Sequence, residues 1–211
     1  MKRKLKLQSQ ISVDGFIAGK NGEMDWITWD LGSDILKAIS DLNRPIDLIL
    51  MGRKLAEGFI PHWKGEATDP AKKRDFVAEM GEWYDFALKM YETPKIVFKK
   101  TIKVAEWDFT TIEDGDLTDS VNKLKGKNGG DIIVYGGGAF VSSLIKAGLI
   151  DEYNLFVNPV AIGDGMTIFK GLEKKQDLTL KSVQQFECGI ALLTYELGKK
   201  QENRRPGTRV K

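Results

Sequence analysis

The sequence predicts a single α/β domain in which a mostly parallel central sheet is flanked by helices and completed by an antiparallel C-terminal hairpin. Two observations predict this class. Apolar strand-like segments alternate with helical patterns over the first two-thirds of the chain, and strand-like segments follow one another in the last third. Alternation is typical of parallel sheets with crossover helices, whereas successive strands tend to pair antiparallel.

The first elements are a strand, a helix and a second strand. The strand covers residues 5–13 and runs into Asp14-Gly15, a turn signal. Ser33 is the predicted N-cap of a helix whose apolar face ends near Asn43. The largely apolar run 47–51 follows at once, and its character predicts a strand that is covered on both faces.

The middle of the chain predicts a longer helix and a short strand. Asp69-Pro70 is typical of a helix start, and Thr93-Pro94 ends the pattern. The core-facing stripe of this helix consists of Phe76, Met80, Trp83, Ala87 and Met90. Residues 96–98 form the short apolar strand that follows.

A strand, a glycine turn and a helix come next. A short helix over 118–125 ends at Gly126, a usual C′ residue. The apolar run 131–135 then leads through Gly136-Gly137-Gly138 into a helix over 139–147. The last third predicts three strands, at 153–160, 178–186 and 190–197, the last two of which are joined as a hairpin.

Length and composition limit the class of protein. The 211 residues fit one domain, placed at 1–198, and a basic tail, 199–211. The tail lacks aromatic residues and the formal net charge is only +2, so nucleic-acid binding is not expected. No apolar stretch approaches the ~20 residues needed to cross a bilayer, and no signal peptide is visible. We therefore expect a cytoplasmic protein that does not bind membranes.

The glycine turn carries the first functional signal. Ligands of open α/β sheets bind beyond the carboxyl ends of the strands. At Gly136-Gly137-Gly138 the missing Cβ atoms let a pyrophosphate approach backbone N–H groups and the positive end of the next helix. The motif is not G-x-G-x-x-G, because Val141 occupies the last glycine position. A purely structural tight turn is the alternative.

Two further strand ends are basic. Arg53 and Lys54 follow the strand that ends at Met51-Gly52, and Lys99 and Lys100 follow the strand 96–98. Beside a dinucleotide, two such ends favour a 2′-phosphate and hence NADPH over NADH, because Arg offers a planar fork and Lys a point charge. The alternative for each pair is a solvated surface charge.

Several segments, in their order and spacing, resemble the dihydrofolate reductase-like superfamily over about residues 4–197. They are Asp14–Ala18, Met24–Trp26, Ile49–Arg53, Val134–Gly138 and Gly148–Glu152, followed by Pro159 and Gly163–Gly165. Within it they are most similar to the reductase domain of bacterial riboflavin-biosynthesis deaminase/reductases and its stand-alone relatives. A deaminase zinc site is not expected, because His62 is the only histidine and Cys188 the only cysteine.

The resemblance implies a dihydrofolate reductase-like fold and an NADPH site. Carried over by position, the cofactor contacts are Ile17 and Ala18; Gly52, Arg53 and Lys54; Lys99, Lys100 and Thr101; and Gly137, Gly138, Ala139 and Phe140. One position departs from the pattern of dihydrofolate reductases, because Leu55 stands where a threonine usually contacts a phosphate.

Three aspartates are candidates for the acid that hydride transfer requires, namely Asp14, Asp25 and Asp34. Reduction of a C=N or C=O carbon needs a proton from an acid or a bound water. Similarity to the riboflavin branch favours Asp14 near the nicotinamide. The alternatives are a turn former, a loop charge and a first-turn helix charge, respectively. Trp26 and Trp29 are candidates to stack on a heterocycle, or alternatively to complete the core.

The leading hypothesis is an NADPH-dependent reductase of a small pyrimidine- or pterin-like heterocycle, resembling 5-amino-6-(5-phosphoribosylamino)uracil reductase. A dihydrofolate reductase and a non-catalytic NADPH-binding sensor or scaffold are the alternatives. The resemblance also implies a homodimer, for which Phe156, Val157 and Phe169 offer apolar surface.

Overall fold

The computed structural model describes residues 2–29, 31–70, 81–99 and 107–198. Within these residues, eight strands form one sheet in the order β4-β3-β2-β5-β1-β6-β8-β7. The strands are β1 Leu5–Ser12, β2 Ile46–Gly52, β3 Lys95–Phe98, β4 Thr110–Glu113, β5 Asp131–Tyr135, β6 Glu152–Asn158, β7 Leu178–Gln185 and β8 Ala191–Leu197. Neighbours from β4 to β6 are parallel, and β8 is antiparallel to β6 and β7.

Helices cover both faces of this sheet. The described helices are α1 Ser33–Asn43, α2 Arg53–Thr68, α3 Gly81–Glu92, α4 Leu117–Lys125 and α5 Gly138–Lys146. Apolar residues of α4 and α5 pack on one face, in a core that includes Leu7 and Val134. Residues of α1, α2 and α3 pack on the other face, in a second core that includes Ile49 and Ile133. The alternation of side chains along each strand supplies both cores.

The predicted fold class is confirmed: an α/β domain with a mostly parallel sheet and an antiparallel C-terminal hairpin. The hairpin between β7 and β8 closes where Phe186 N donates to Ile190 O at 3.0 Å. The turn at Asp14-Gly15 is also present, since Gly15 has φ +86° and its N–H donates to Ser12 O at 2.9 Å. Within the described residues, no helix is long and apolar enough to cross a membrane.

Helix α2 is the largest difference from the sequence-based expectation. Arg53 and Lys54, predicted to lie in a turn, are its first two residues and follow Gly52 directly. Gly58, Gly65 and Pro61 weaken the helical pattern. The helix forms nevertheless because Ala56, Ile60, Trp63 and Ala67 share one buried face, and tertiary packing outweighs propensity.

Three smaller expectations are corrected. The N-cap of α1 is Gly32 rather than Ser33, and the carboxylate of Asp34 accepts from Ile35 N at 2.8 Å in that first turn. Gly126 is a right-handed C-cap of α4, with φ −80°, rather than a left-handed C′ residue. Strand β4 was not predicted, because its four residues lie exposed or half-buried and so show no apolar pattern.

Some sequence-based expectations fall on residues that the structure does not describe. Phe76 and Met80 of the predicted stripe lie outside the described residues, as do Lys100, Thr101 and the tail 199–211. The division into a domain at 1–198 and a tail therefore remains a prediction. The described part of the stripe is core, since Ala87 and Met90 are buried.

Candidate active site

The loops after β3, β2, β5, β1 and β6 lie side by side at one edge of the sheet. These five strands are consecutive and parallel, so their carboxyl ends meet at the same edge. The β7–β8 hairpin turn reaches this edge too, because Gln185 pairs with Ala191, which pairs with Val157 near the end of β6. The three turns singled out from the sequence thus follow three neighbouring strands, β5, β2 and β3.

The glycine turn after β5 packs directly against the loops after β1 and β2. Gly137 is the N-cap of α5 in the left-handed region, with φ +82°. A Cβ on Gly138 would lie 3.1 Å from Ile17 Cδ1, and a Cβ on Gly52 would lie 2.9 Å from Phe140 Cβ. The structure therefore brings Ile17, Gly52, Gly138 and Phe140 together. Gly52 and Gly138 thus also have a packing role, which is what the alternative of a purely structural tight turn predicts.

Two helices begin at this edge without a side-chain cap at the N-terminus. Neither α2 nor α5 has a side-chain cap or an acidic residue in its first turn. Free N–H groups and the positive end of the helix dipole suit an anion. Ala139, a predicted cofactor contact, is exposed in the first turn of α5.

Cationic side chains gather beside the start of α2. Burial lowers the pKa of Lys99, the positive charge of Arg53 lowers it further, and the negative charge of Glu57 raises it, so these side chains are close enough to interact electrostatically. Arg53 Nη1 pairs with Glu57 Oε1 at 2.7 Å, and Lys54 is exposed one residue along. Neighbouring cations attract an anion, because an anion reduces their mutual repulsion.

Asp14 holds the loop after β6 against the end of β1. Its carboxylate accepts from the Ser12 hydroxyl at 2.5 Å and from Ile162 N and Gly163 N at 3.1 and 2.7 Å. These bonds, led by the Ser12 hydroxyl and the Gly163 N–H, lower the pKa of Asp14. An ionised carboxylate that already accepts three hydrogen bonds is a poor proton donor near neutral pH.

Further contacts fasten the same two loops. Ile17 N donates to Met166 O, and Met166 N donates to Ala18 O, both at 2.8 Å. Lys20 Nζ lies 2.7 Å from Asp164 Oδ2. Ile17 and Ala18, two of the predicted cofactor contacts, are therefore held in place by the loop after β6.

The other candidate acids occupy different environments. Asp34 lies in the first turn of α1, where one oxygen accepts from Ile35 N at 2.8 Å and the other from Glu187 N at 2.9 Å. It thus ties α1 to the β7–β8 hairpin. Asp25 is exposed in the loop after β1. The structure does not place the carboxylates of the three aspartates around a common point. The identity of the catalytic acid remains a prediction.

The two tryptophans differ in burial. Trp29 is 69% exposed, so the alternative that it completes the core is wrong. Trp26 is half-buried, and its buried indole N–H has no hydrogen-bond acceptor among the described residues. A buried donor without an acceptor costs about 1–3 kcal/mol, and this sets Trp26 apart from the other described side chains, whose buried polar atoms have partners.

Asn158 is a positioning residue that sequence analysis missed. It is fully buried at the end of β6, where Oδ1 accepts from Thr28 N at 3.1 Å and Nδ2 donates to Gln10 Oε1 at 2.8 Å. These bonds fix the loop that carries Trp26. The available signal was an amide at the end of an apolar strand, directly before Pro159.

Other candidate sites lie elsewhere or lack ligands. Two shallow depressions open at the opposite edge of the sheet, one beside Lys125 and Glu196 and the other beside Asp47 and Lys127. Neither includes a residue of the glycine turn. Across the part of the chain that the structure describes, no three His, Cys, Asp or Glu side chains are grouped so as to hold a metal ion.

The fold and this row of loops define an α/β domain of the reductase type. The family described as the RibD C-terminal domain matches residues 3–192, and the chain belongs to that family. Two relatives from Bacillus subtilis (strain 168) are uncharacterized proteins. YyaP is 32% identical over 196 residues, which cover 92% of this chain and 94% of YyaP. YwjB is 27% identical over 194 residues, which cover 91% of this chain and 97% of YwjB.

Solved structures share the fold at low sequence identity. A putative riboflavin biosynthesis protein from Shewanella sp. PV-4 has a TM-score of 0.67 at 20% identity, with 93% of this chain and 99% of that chain covered. A diaminohydroxyphosphoribosylaminopyrimidine deaminase/5-amino-6-(5-phosphoribosylamino)uracil reductase from Thermotoga maritima has a TM-score of 0.62 at 16% identity. The match covers 93% of this chain and 57% of that longer protein.

Proposed function

We propose that the protein is an NADPH-dependent reductase that transfers a hydride to a small heterocycle of the pyrimidine or pterin class. The observation that carries the proposal is the continuous edge formed by the loops after β3, β2, β5 and β1, with two helix N-termini that lack side-chain caps and with Arg53, Lys54 and Lys99 at the ends of β2 and β3. Membership of the RibD C-terminal domain family supports a reductase, and the name of the Thermotoga maritima neighbour includes a uracil reductase.

The residues present fit a phosphorylated dinucleotide. Arg53, Lys54 and Lys99 would hold the 2′-phosphate, because a guanidinium fork and ammonium groups suit phosphate oxygens. The backbone at Gly137 and Gly138 and the N-terminus of α5 would hold the pyrophosphate. When bound, NADPH supplies the hydride from C4 of its nicotinamide ring. Lys100 and Thr101, also predicted contacts, lie outside the described residues.

The remaining residues would bind and orient the heterocycle. The Trp26 indole N–H is a donor for a carbonyl oxygen, and the exposed ring of Trp29 offers a stacking face. Asp14 and Asp34 act in this proposal by holding loops in place, since their oxygens already accept backbone N–H bonds. The proton then comes from Asp25 or from a bound water.

Nucleotide binding is tested by thermal unfolding with NADPH and with NADH. At a free concentration about a hundredfold above its Kd, NADPH is expected to raise the free energy of unfolding by about 2.7 kcal/mol. Arg53→Ala is expected to weaken NADPH binding about tenfold and to leave NADH binding unchanged. Arg44→Ala is the matched control, because Arg44 is also an exposed arginine paired with an acid but lies at the opposite edge. No response to millimolar NADPH contradicts the proposal.

A non-catalytic NADPH-binding sensor or scaffold is the second candidate, favoured by the commitment of Asp14 and Asp34 to backbone N–H groups. NADPH oxidation with a panel of pyrimidines, pterins and dihydrofolate distinguishes the candidates. Turnover of dihydrofolate alone identifies a dihydrofolate reductase. Tight NADPH binding without oxidation by any compound identifies a sensor.

The proposal includes a homodimer in the cytoplasm. Phe156, predicted as interface surface, is fully buried and stacks on Phe186, so that residue was wrongly assigned. Val157 and Phe169 are half-buried. The exposed apolar residues of this region are Leu180 and Val183 on the edge strand β7, and they are the better candidates for an interface between two copies.

A further inference from the structure

The order of strands determines where a substrate would lie. The cations and the uncapped helices belong to β3, β2 and β5, so a dinucleotide that they hold has its reactive ring towards β1 and β6. The substrate would then face three segments: the loop after β1, the loop after β6 and the β7–β8 hairpin turn. We call these segments, residues 13–29, 159–168 and 186–190, the substrate-side loops.

The substrate-side loops carry mostly negative charge. Lys20 is their one basic residue. Their acidic residues are Asp14, Glu23, Asp25, Asp164 and Glu187. Lys20 is itself paired with Asp164 at 2.7 Å, and this hydrogen bond raises the pKa of Lys20. The only cation of these loops is therefore already neutralised by the chain.

Backbone groups that could bind a phosphate on this side are also occupied. The N–H groups of Ile162 and Gly163 donate to the carboxylate of Asp14. The N–H groups of Ile35, in the first turn of α1, and of Glu187 donate to the carboxylate of Asp34. Both places hold a carboxylate of the chain where a phosphate oxygen would otherwise accept.

The helices that begin at this edge differ in the charge of their first turns. Those of α2 and α5 contain no acid. That of α1, on the substrate side, contains Asp34, and α4, which follows the outermost strand β4, has Asp116 as its N-cap and Asp119 in its first turn. The substrate side thus offers a phosphate neither an unpaired basic side chain nor a helix start without an acid, whereas the loops after β2 and β5 offer two such helix starts. A phosphate monoester carries about −1.5 to −2 charges near pH 7 and would meet like charge on the substrate side.

From the negative charge of the substrate-side loops and their occupied N–H groups we infer that the substrate is a neutral or cationic heterocycle without a phosphate group. The inference rests on the proposed reductase function and narrows its substrate class. It separates this chain from the phosphoribosylated substrate named for the Thermotoga maritima neighbour. Specificity of this kind comes from unfavourable contacts with the wrong ligand as much as from favourable contacts with the right one.

The test compares matched ligands on the NADPH-loaded protein. The first pair is uridine and uridine 5′-monophosphate, measured by binding. The second is 5-amino-6-ribosylaminouracil and its 5′-phosphate, measured by binding and by NADPH oxidation. The unphosphorylated member of each pair is expected to bind at least about tenfold more tightly at low salt, and the difference should shrink as salt screens the charges.

A charge variant makes the test specific. Asp164→Asn releases Lys20 and removes one negative charge. For each pair of probes, the ratio of the Kd of the phosphorylated member to the Kd of the unphosphorylated member should therefore fall several-fold, and this ratio is insensitive to a general loosening of the loop. Asp177→Asn is the matched control, because Asp177 is also an exposed acid paired with a lysine, at 3.4 Å, but lies beside the start of β7 at the opposite edge. It should leave both ratios unchanged.

Each contrary result has a distinct meaning. Equal or tighter binding of the phosphorylated probes by the wild type overturns the inference and leaves the reductase proposal standing. An unchanged ratio of the Kd values in Asp164→Asn overturns it as well. Binding of NADPH without any of the four heterocycles overturns the substrate class. Failure to bind NADPH overturns the proposed function and this inference with it.

Discussion

Asp14 belongs to the predicted motif at the end of β1, but its hydrogen bonds indicate that it holds the loop after β6 rather than donating a proton. Its place after β1 was predicted from the sequence, together with the turn at Gly15. Its partners were not predictable, because Ile162 and Gly163 are about 150 positions away and reach it only through the pairing of β1 with β6. Sequence spacing indicates which residues are available at a loop, whereas the sheet decides which atoms they meet.

Asp14→Asn is expected to raise KM for the heterocycle by loosening the loop after β6, while the pH profile of kcat near neutrality stays unchanged. The pKa of Asp14 lies below its usual value, so the group is ionised in the folded protein near pH 7 and holds no proton to give. Loss of one limb of the pH profile would instead identify Asp14 as the proton donor. Asp25→Asn, measured in the same way, tests the competing acid.

The same shift predicts how acid affects stability. Because the pKa of Asp14 is lower when folded, its stabilising contribution is present above the unfolded pKa of about 4 and is lost as the pH falls through the folded value. Urea unfolding of the wild type and Asp14→Asn should therefore converge as the pH falls below about 4. Parallel curves over that range would contradict the assignment.

Lys95 predicts a second rise of stability with pH, in the alkaline range. It is buried on β3, where Nζ donates to Tyr91 O at 2.6 Å and Thr93 O at 2.7 Å beside the end of α3, and burial lowers its pKa to about 8. The unfolded chain keeps this proton up to about pH 10.5, whereas the folded protein loses it near pH 8. The destabilisation of the folded protein by the buried charge, at most about 3 kcal/mol, therefore disappears between about pH 8 and pH 10.5. Wild-type stability should rise over that range relative to Lys95→Met, as measured by urea unfolding. Equal slopes would contradict it.

At the scale of elements, strongly patterned segments were predicted and weakly patterned ones were missed. Strand β5 was placed at its observed residues, because its apolar run ends at a glycine turn. Helix α2 and strand β4 were missed for opposite reasons. In α2, two glycines and a proline obscure a buried face that only packing on the sheet reveals. In β4, the side chains are too exposed to produce an apolar pattern.

The glycine turn allows its structural role to be separated from a binding role. Gly137 and Gly148 flank α5, and both have positive φ, +82° and +65°. Replacing either by alanine should cost about 1 kcal/mol or somewhat more, since a Cβ disfavours this region. Only Gly137→Ala should also weaken NADPH binding, measured by thermal shift, because Gly148 lies at the far end of the helix. Equal NADPH affinity in both variants would assign the turn a purely structural role.

At the scale of the whole molecule, the sequence predicted the layers and the direction of the strands but not their order. No local pattern places β1 between β5 and β6, since the choice of neighbours depends on long-range contacts. The convergence of Gly52, Gly137 and Ile17 on one edge follows from that order. The candidate site was therefore predicted as separate strand ends, and the sheet assembled them.

The edge strand β7 yields a prediction about assembly. If two copies pair their β7 strands about a two-fold axis centred between Lys181 and Ser182, Leu180 of each copy lies opposite Val183 of the other. Analytical ultracentrifugation should give a molecular mass of twice 23.7 kDa for the wild type and of 23.7 kDa for the double variant Leu180→Lys and Val183→Lys. Ile112→Lys, on the opposite edge strand β4, is the control and should remain dimeric. A monomeric wild type would contradict the pairing.

The position of β1 has a consequence for biogenesis. This strand precedes all the other strands of the sheet along the chain, yet both of its neighbours, β5 and β6, come from residues 131–158. The middle of the sheet must therefore stay open until the ribosome has translated residue 158. Such distant pairing slows folding and leaves the nascent β1 strand without its partners, and therefore exposed to chaperones and to aggregation, during synthesis.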